Sequence, residues 1–527
     1  MEISGRNQCV TVSQTASRIA HMFDTSHADL DDSGLIAAIE QAAREEAQAG
    51  ARKLAAIAEL VDSTVDWDDE RGMWAFDPWK NAACHVGAAL SISYQRASSQ
   101  MCVATSLRHR LPKVAAQYWN GRLSSRLISE ITWRTRLVSD EAIALIDGQL
   151  AERASKWGSL SDEKLIQKIN AEIERHDPDA VSRTKEKLKK RDVHIAAHDD
   201  PDVLTSVWGL LLPSDAAAYK ARIAALLKGL CDNDPRSIGE RRSDAVGAIG
   251  RGEDVLPCRC GSAACAESAP VKSNVVIHVI ADQAAVDTAK QLIAAEDCKT
   301  DAPTQPVESE SRTVYSGSAL MAGMQILPNA VLAEVIRSGA VVKPLWQPGP
   351  DPEPRYQPSA KLAAFIRSRD MFCRFPGCDV PAERCDIDHV VPYPYGPTHA
   401  SNMHCKCRTH HLMKTFWGGA EGWRDQQLPD GTVIWTTPAG RTYTTTPGSR
   451  LFFPSWDITT AELPSMVAPP PDPDRLERMP RRKRTRAADR AARIKEERAA
   501  NAAQRAAEQQ PPLRQPPPDY GDDPPPF

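Results

Sequence analysis

Two short donor pairs stand out in the sequence. Cys373-Arg-Phe-Pro-Gly-Cys378 is a C-x4-C pair, and Cys407-Arg-Thr-His410 is a C-x2-H pair about 30 residues further on. Four soft or borderline donors in two close pairs suit a closed, tetrahedral Zn2+ site. Pro376-Gly377 supplies the tight turn that lets both thiolates face one ion. Such a site contributes about 10–16 kcal/mol of apparent binding energy to folding. A short domain poor in bulky core residues needs that contribution. Cys385 and Cys405 read as packed thiols, with Cys405 the alternative ligand because it lies two residues from Cys407.

A helix beginning near Cys407 puts Cys407 and His410 on one face. The next residue, His411, turns about 100° away from His410. One imidazole then closes the zinc set and the other points elsewhere. Its natural partner is the Asp388-His389 pair in the extended segment 385–391. Asp388 and His411 are expected to hold a hard divalent cation, Mg2+ or Mn2+, with positions left for water and phosphate. His389 has the ordinary titration range of a base that takes a proton from water near neutral pH. Lys414, one helical turn from His411, is expected to meet a phosphate oxygen. Asn402 precedes the helix in a loop, where its amide is expected to bond loop backbone and hold two strands in register. Together these are the parts for metal-assisted phosphodiester hydrolysis.

In that order, His389, Asn402 and His411 resemble the His-Asn-His set of the HNH endonucleases, which have a ββα-metal fold. The resemblance covers about 359–418. It implies that His389 is the general base, Asp388 and His411 the metal ligands, and Asn402 a structural residue. The loop Tyr395-Gly396-Pro397-Thr398 has one glycine where that family usually shows two. Upstream, Trp133-Arg-Thr, His176-Asp-Pro-Asp-Ala and Cys258-Arg-Cys-Gly are similar to the domain of unknown function DUF222. The whole chain is similar to the actinobacterial thirteen-E-twelve repeat proteins.

The elements that must position these residues follow from periodicity. Apolar residues at helical spacing predict helices from about 30 to 190, with Asp31, Asp32, Ser33 and Ser161 as caps. Val193-His194-Ile195 and Val203 to Leu212 flank Asp199-Asp200-Pro201-Asp202 and predict a hairpin. A helix from Ser214, a strand over Val275 to Ile280 and a helix near 283–295 follow, with a polar loop over 299–316. The fold class is mainly α, with a small α+β portion within an N-terminal domain of 1–340. An HNH domain of 359–418 comes next, then a β-hairpin extension of 419–457, where Asp430-Gly431 marks a turn. Its aromatics read as a small β core. A Pro-rich and basic tail of 464–527 reads as solvated or disordered. Within it, Arg481 to Arg498 has nine Lys/Arg against three Asp/Glu.

Length and composition bound the rest. The chain has 527 residues and a net charge of −4, which excludes a uniformly basic nucleic-acid coat and confines DNA contact to a local patch. No apolar run reaches the roughly 18–20 residues of a spanning helix. Met1 to Phe23 lacks a secretory apolar core. The expectation is a cytoplasmic protein whose partner is DNA and not membrane. Thirteen cysteines in so long a chain point to metal rather than a disulfide scaffold. Cys258, Cys260 and Cys265 form a further C-x-C-x4-C run that takes a second zinc if a fourth ligand such as Cys231 arrives. Otherwise they are reduced or packed thiols. The segment from His85 to Leu111, with Ser91-Ile92-Ser93 as its turn and Tyr94, Gln95, Arg96 and Gln100 facing out, has the form of a helix-turn-helix. Short helix pairs also fill any α domain. A metal-dependent DNA endonuclease is thus the leading expectation. A zinc-dependent, non-cleaving DNA-binding protein associated with mobile or repeat elements is the alternative. A third reading makes the N-terminal domain an interaction or regulatory module.

Overall fold

The computed structural model describes residues 27, 29–157, 160–181, 192–196, 206–262, 265, 279–297, 317, 319–321, 325–337, 340–464, 466 and 472–509. It is mainly helical with small antiparallel sheets. Among the described residues, no helix is long and apolar enough to cross a membrane. The chain divides into two compact units that are not continuous in sequence. The first comprises 1–72, 97–182 and 484–527, and the second 73–96 and 183–483.

The first unit is a helical stack. Helix α1 (Asp32–Thr64) starts where the Asp31 carboxylate accepts from Gly34 N–H, and buries Ala47, Ala51, Leu54, Ile57, Ala58 and Val61. Helix α2 (Pro78–Leu90) belongs to the second unit. Helix α3 (Tyr94–His109) begins at the edge of that unit and continues into the first. Helices α4 (Pro112–Trp119), α5 (Ser125–Arg134), α6 (Asp140–Arg153) and α7 (Asp162–His176) complete the stack. Buried Asp147 on α6 accepts from the N–H groups of Lys113 and Val114, both at 2.9 Å. That carboxylate satisfies the open donors of the first turn of α4 from outside the helix.

The tail corrects the sequence reading. Residues Arg486–Gln509 form a helix that packs in this unit. Arg498 reaches the buried Asp177 carboxylate at 2.6 Å and Leu137 O at 2.7 Å. Arg505 pairs with Asp179, and Asn501 is buried with its amide on Asp179 O. Lacking an apolar stripe, the run docks through charge-assisted hydrogen bonds to acidic groups some 320 residues away in sequence.

In the second unit, β1 (Asp192–Ala196) pairs antiparallel with β2 (Ser206–Leu210), as the alternation predicts. The expected turn between them lies outside the described residues, as does the expected loop over 299–316. Helices α8 (Pro213–Lys228) and α9 (Ile238–Arg251) follow. Strands β3 (Val279–Ala281), β4 (Ala319–Met321) and β5 (Gln325–Leu327) make a three-stranded sheet, packed with α10 (Gln283–Asp297) and α11 (Asn329–Arg337). Helix α12 (Ala360–Asp370), capped by Ser359, leads into β6 (Cys385–His389), β7 (Met403–Cys407) and α13 (Arg408–Trp417). A meander of β8 (Arg424–Gln427), β9 (Val433–Thr436) and β10 (Thr442–Thr445) closes the unit, with Pro429-Asp430-Gly431 at its first turn.

Two expectations change here. The boundary near 340 does not divide compact units, because the Ala-rich face of α2 is buried with the C-terminal elements. Nor is this region poor in bulky core. Trp423, Trp435, Phe365, Phe375 and Phe76 are all buried in one cluster, the two tryptophans coming from the meander and Phe76 from the residues before α2. Trp423 Nε1 donates to Asn81 Oδ1 at 2.9 Å, and Trp435 Nε1 to Arg374 O at 2.7 Å. The meander aromatics are core, as the sequence reading has it.

A buried ion cluster holds β7 in place. Asp370 accepts from Arg369 at 2.8 Å, from Arg374 at 3.2 Å and from Cys405 N–H at 2.8 Å. Arg369 in turn donates to Ala400 O and Met403 O. Asp370→Ala strands two buried guanidiniums and should cost about 3–5 kcal/mol, read from the denaturant midpoint of the full chain. A cost below about 1 kcal/mol would contradict this placement.

Candidate functional site

Strand β7 ends at Cys407 and α13 starts at the next residue. Cys407 is the N-cap but its thiol caps nothing, so its sulfur is available to a metal. His410 Nδ1 lies 3.1 Å from Cys407 Sγ and 3.3 Å from Cys373 Sγ. Cys378 Sγ is 3.9 Å from Cys407 Sγ, and all four donor atoms lie within 4.8 Å of one another. Donors about 2.1–2.3 Å from one tetrahedral ion stand roughly 3.5–3.8 Å apart. The set therefore fits a metal ion, on the four residues that the sequence spacing selects. Cys385 and Cys405 stay outside it: Cys385 donates to Pro381 O, and Cys405 is buried in the core.

The surroundings fix this cluster. Phe375 stacks on the His410 ring, with centroids 3.9 Å apart and planes at 13°. Cys84 on α2 lines the same small cavity as Phe375 and His410. Gly377 has φ +70°, and a Cβ there would strike the backbone of Ser91 and Ile92. The turn between α2 and α3 therefore seats against the cysteine loop. Its left-handed residue is Ser91 (φ 52°), and beyond it Gln95 and Arg96 are exposed while Tyr94 and Gln100 are half-buried.

The second group stands on the β6–β7 ladder. Asp386 pairs with Lys406, and Asp388 with His404, so these four side chains share one face. His411 Nε2 is 3.6 Å from Asp388 Oδ1, and His411 Nδ1 is 2.8 Å from Asp386 Oδ2. Two ligands of one divalent ion at about 2.1 Å, near 90–110° apart, stand roughly 3–3.5 Å from each other. The Asp388–His411 gap is close to that value. Asp386 holds the far nitrogen of His411, as a carboxylate would hold a histidine that binds a metal.

Asp388 is prepared as an anion. Burial alone would raise its carboxyl, but Lys406, Lys414 and His411 hold it well below the ordinary carboxylate range. Lys406 Nζ, fully buried, bridges Asp388 at 2.9 Å and Asp425 at 3.0 Å. His404, held neutral with its titration pushed down to about 4 by burial and by Lys406, bonds Asp425 at 2.9 Å.

His389 lies on the other face of β6, and burial lowers its titration point from the ordinary 6.5. Its Nε2 is 2.9 Å from Thr398 Oγ1. Thr398 donates its own hydrogen to the carbonyl of Arg355 or Tyr356, so we assign it as acceptor of the Nε2 hydrogen. That tautomer leaves Nδ1 as the basic nitrogen, with no hydrogen-bond partner among the described residues. Asn402 does what the sequence suggests. Its Oδ1 accepts from Val391 N–H at 2.9 Å, and its Nδ2 donates to Val391 O at 3.0 Å and Pro397 O at 2.9 Å. Gly396 is needed beside it, because a Cβ would run into Val391 O and the Asn402 amide.

Lys414 departs from expectation. Its ammonium is buried and bonded to the carbonyls of His389 and Val390, with Asp388 at 3.4 Å and Asp425 at 3.2 Å. It holds the end of β6 and offsets buried charge instead of facing a phosphate. Sequence reasoning gave no role to Asp386, Thr398, His404, Lys406 or Asp425. Asp386 was findable, since alternation puts it on the Asp388 face. Asp425 had no local signal, because it arrives from the meander.

Two outcomes check this geometry. Asp386→Asn should weaken Mn2+ binding about 10–100-fold by calorimetry while zinc content stays unchanged. An unchanged Mn2+ affinity would remove Asp386 from the site. Gly377→Ala should strain the cysteine loop by about 1–3 kcal/mol and speed zinc loss to a chelator. Wild-type retention would contradict the close backbone approach.

Comparison with known proteins places the chain among uncharacterised relatives. It is 50% identical over 480 residues to the uncharacterized protein Rv3776 of Mycobacterium tuberculosis (strain ATCC 25618 / H37Rv), covering 89% of this chain and 90% of that one. It is 47% identical over 516 residues to the uncharacterized protein MT2160 of M. tuberculosis (strain CDC 1551 / Oshkosh), covering 93% of each. No solved structure matches. The domain of unknown function DUF222 matches residues 41–370, a span that runs from α1 to the end of α12, and the chain belongs to that family.

Proposed function

We propose that this protein is a metal-dependent DNA endonuclease of the HNH type, with a zinc ion in the Cys373, Cys378, Cys407 and His410 set as a structural staple. The observation that carries the reading is the 3.6 Å approach of His411 Nε2 to Asp388 Oδ1, next in sequence to a buried neutral histidine. The order of strand, Asn-pinned loop, strand and helix over 385–417 supports it. Exposed Tyr356, Tyr393 and Tyr395 add sequence-tolerant stacking surface, and the Tyr356 ring lies 5.4 Å from that of His389. A cytoplasmic location is part of the same proposal.

In this reading the chain performs hydrolysis as follows. Asp388 and His411 hold Mg2+ or Mn2+, which when bound stabilises charge on the phosphate and on the leaving oxygen. His389 accepts a proton from water at Nδ1 while the water oxygen attacks phosphorus and the bond from phosphorus to the sugar oxygen breaks. Thr398 keeps the base in its tautomer by accepting from Nε2. Asn402 fixes the loop that carries Thr398. Asp386 orients His411. Lys406 and Lys414 keep Asp388 ionised. The alternative of DNA binding without turnover has weaker support, because the helix-turn-helix-like turn is seated on the cysteine loop.

The test is nicking of supercoiled plasmid by the full chain with Mg2+ or Mn2+. Cleavage should need added metal, and His389→Ala should reduce it by about 10²–10⁴-fold with zinc content unchanged. Wild-type cleavage by His389→Ala would remove the base. A gel shift without cleavage, insensitive to Asp388→Ala, would favour the non-cleaving alternative.

A further inference from the structure

Helices α8 and α9 pack over a very small core. Leu226, Ala245, Ala248 and Leu256 are its buried apolar members, with Ile223, Leu227, Leu230 and Ile249 half-buried around them. An assembly this small ordinarily needs a covalent or metal staple. Four cysteines meet at its end. Cys231 follows α8, and Cys258, Cys260 and Cys265 lie in the loop after α9. Their sulfurs all lie within 4.8 Å of one another, and those of Cys231 and Cys258 are 3.3 Å apart. None of the four is in a disulfide.

We propose that Cys231, Cys258, Cys260 and Cys265 bind a second zinc ion, as a closed tetrathiolate centre that joins the loop after α8 to the loop after α9. The C-x-C-x4-C run needs a fourth ligand such as Cys231, and the fold brings that residue beside Cys258 from 27 residues upstream. Four thiolates about 2.3 Å from one zinc stand roughly 3.8 Å apart, within the observed range.

Gly261, at φ +72°, turns the chain directly after Cys260.

An outer layer then locks the two loops together. Asp234 is buried, and its carboxylate accepts from Arg236 Nη2 at 2.7 Å and Nε at 3.0 Å, and from Arg259 N–H, between Cys258 and Cys260, at 3.0 Å. Arg236 also donates to Pro257 O at 2.8 Å, and Arg241 to Asp234 O at 2.6 Å. Arg236, Arg241 and Arg259 pair with Asp234 and Asp244 in this layer, which ties the residues after Cys231 to those around Cys258. This centre shares no ligand with the Cys373 set, so it stands whether or not the chain cleaves DNA.

The experiment is metal analysis of the purified full chain, with thiol alkylation mapped by peptide mass. Two zinc ions per chain are expected, falling to one in Cys260→Ser/Cys265→Ser. In wild-type protein all four thiols should resist N-ethylmaleimide until a chelator is added, a readout that does not depend on how the variant folds. One zinc per chain with these four thiols alkylated at once would overturn the proposal, and so would iron in place of zinc. One zinc with these four protected and the Cys373 set reactive would support it and count instead against the staple proposed above.

Discussion

The site depends on a single register. Helix α13 begins on the residue after Cys407, so two adjacent histidines emerge in the first turn about 100° apart. His410 turns to the thiols of Cys373 and Cys407, and His411 turns to the carboxylates of Asp386 and Asp388. A shift of one residue in the helix start would exchange the two roles and destroy both. The buried set therefore positions the exposed one. A metal among Cys373, Cys378, Cys407 and His410 would fix the azimuth of α13, and that azimuth sets where His411 points. The same logic explains the density of support around β7, where Asp370 holds Cys405 N–H and Arg374 N–H bonds Cys405 O.

Charge burial is the second theme. Lys406, Lys414, Asp388, Asp425 and His404 form a nearly enclosed network. Unpaired, each ion would cost several kcal/mol to bury. Together they keep Asp388 ionised beside His411. A buried network of this kind is a poor source of net stability and a good source of geometry. Here it locates one carboxylate oxygen facing an imidazole and leaves it without a lysine partner, since Lys406 takes the other oxygen.

Much of this was legible in the sequence. The C-x4-C and C-x2-H spacing selected the four donors that meet. Helical periodicity separated His410 from His411, and Asn402 binds loop backbone on both sides of its amide as its position suggested. Helix α1 starts after Asp31, whose carboxylate accepts from Gly34 N–H, and α7 starts after Ser161, whose side chain makes no capping hydrogen bond. What could not be read was long-range. Lys414 lies one turn from His411, but two backbone carbonyls draw its ammonium inward. The basic tail has no apolar stripe, and its helix is held by Asp177 and Asp179, which local pattern cannot anticipate. Helix α2 reads as one more helix of an N-terminal array. Its Cys84 and Ala88 instead lie in the core around Trp423.

The most direct measurement is anomalous scattering from crystals of the full chain soaked in Mn2+. A manganese peak is expected about 2.1–2.2 Å from both Asp388 Oδ1 and His411 Nε2, distinct from a zinc peak inside the Cys373, Cys378, Cys407 and His410 set. A zinc peak with no manganese between Asp388 and His411, at concentrations that fill surface carboxylates elsewhere, would contradict it.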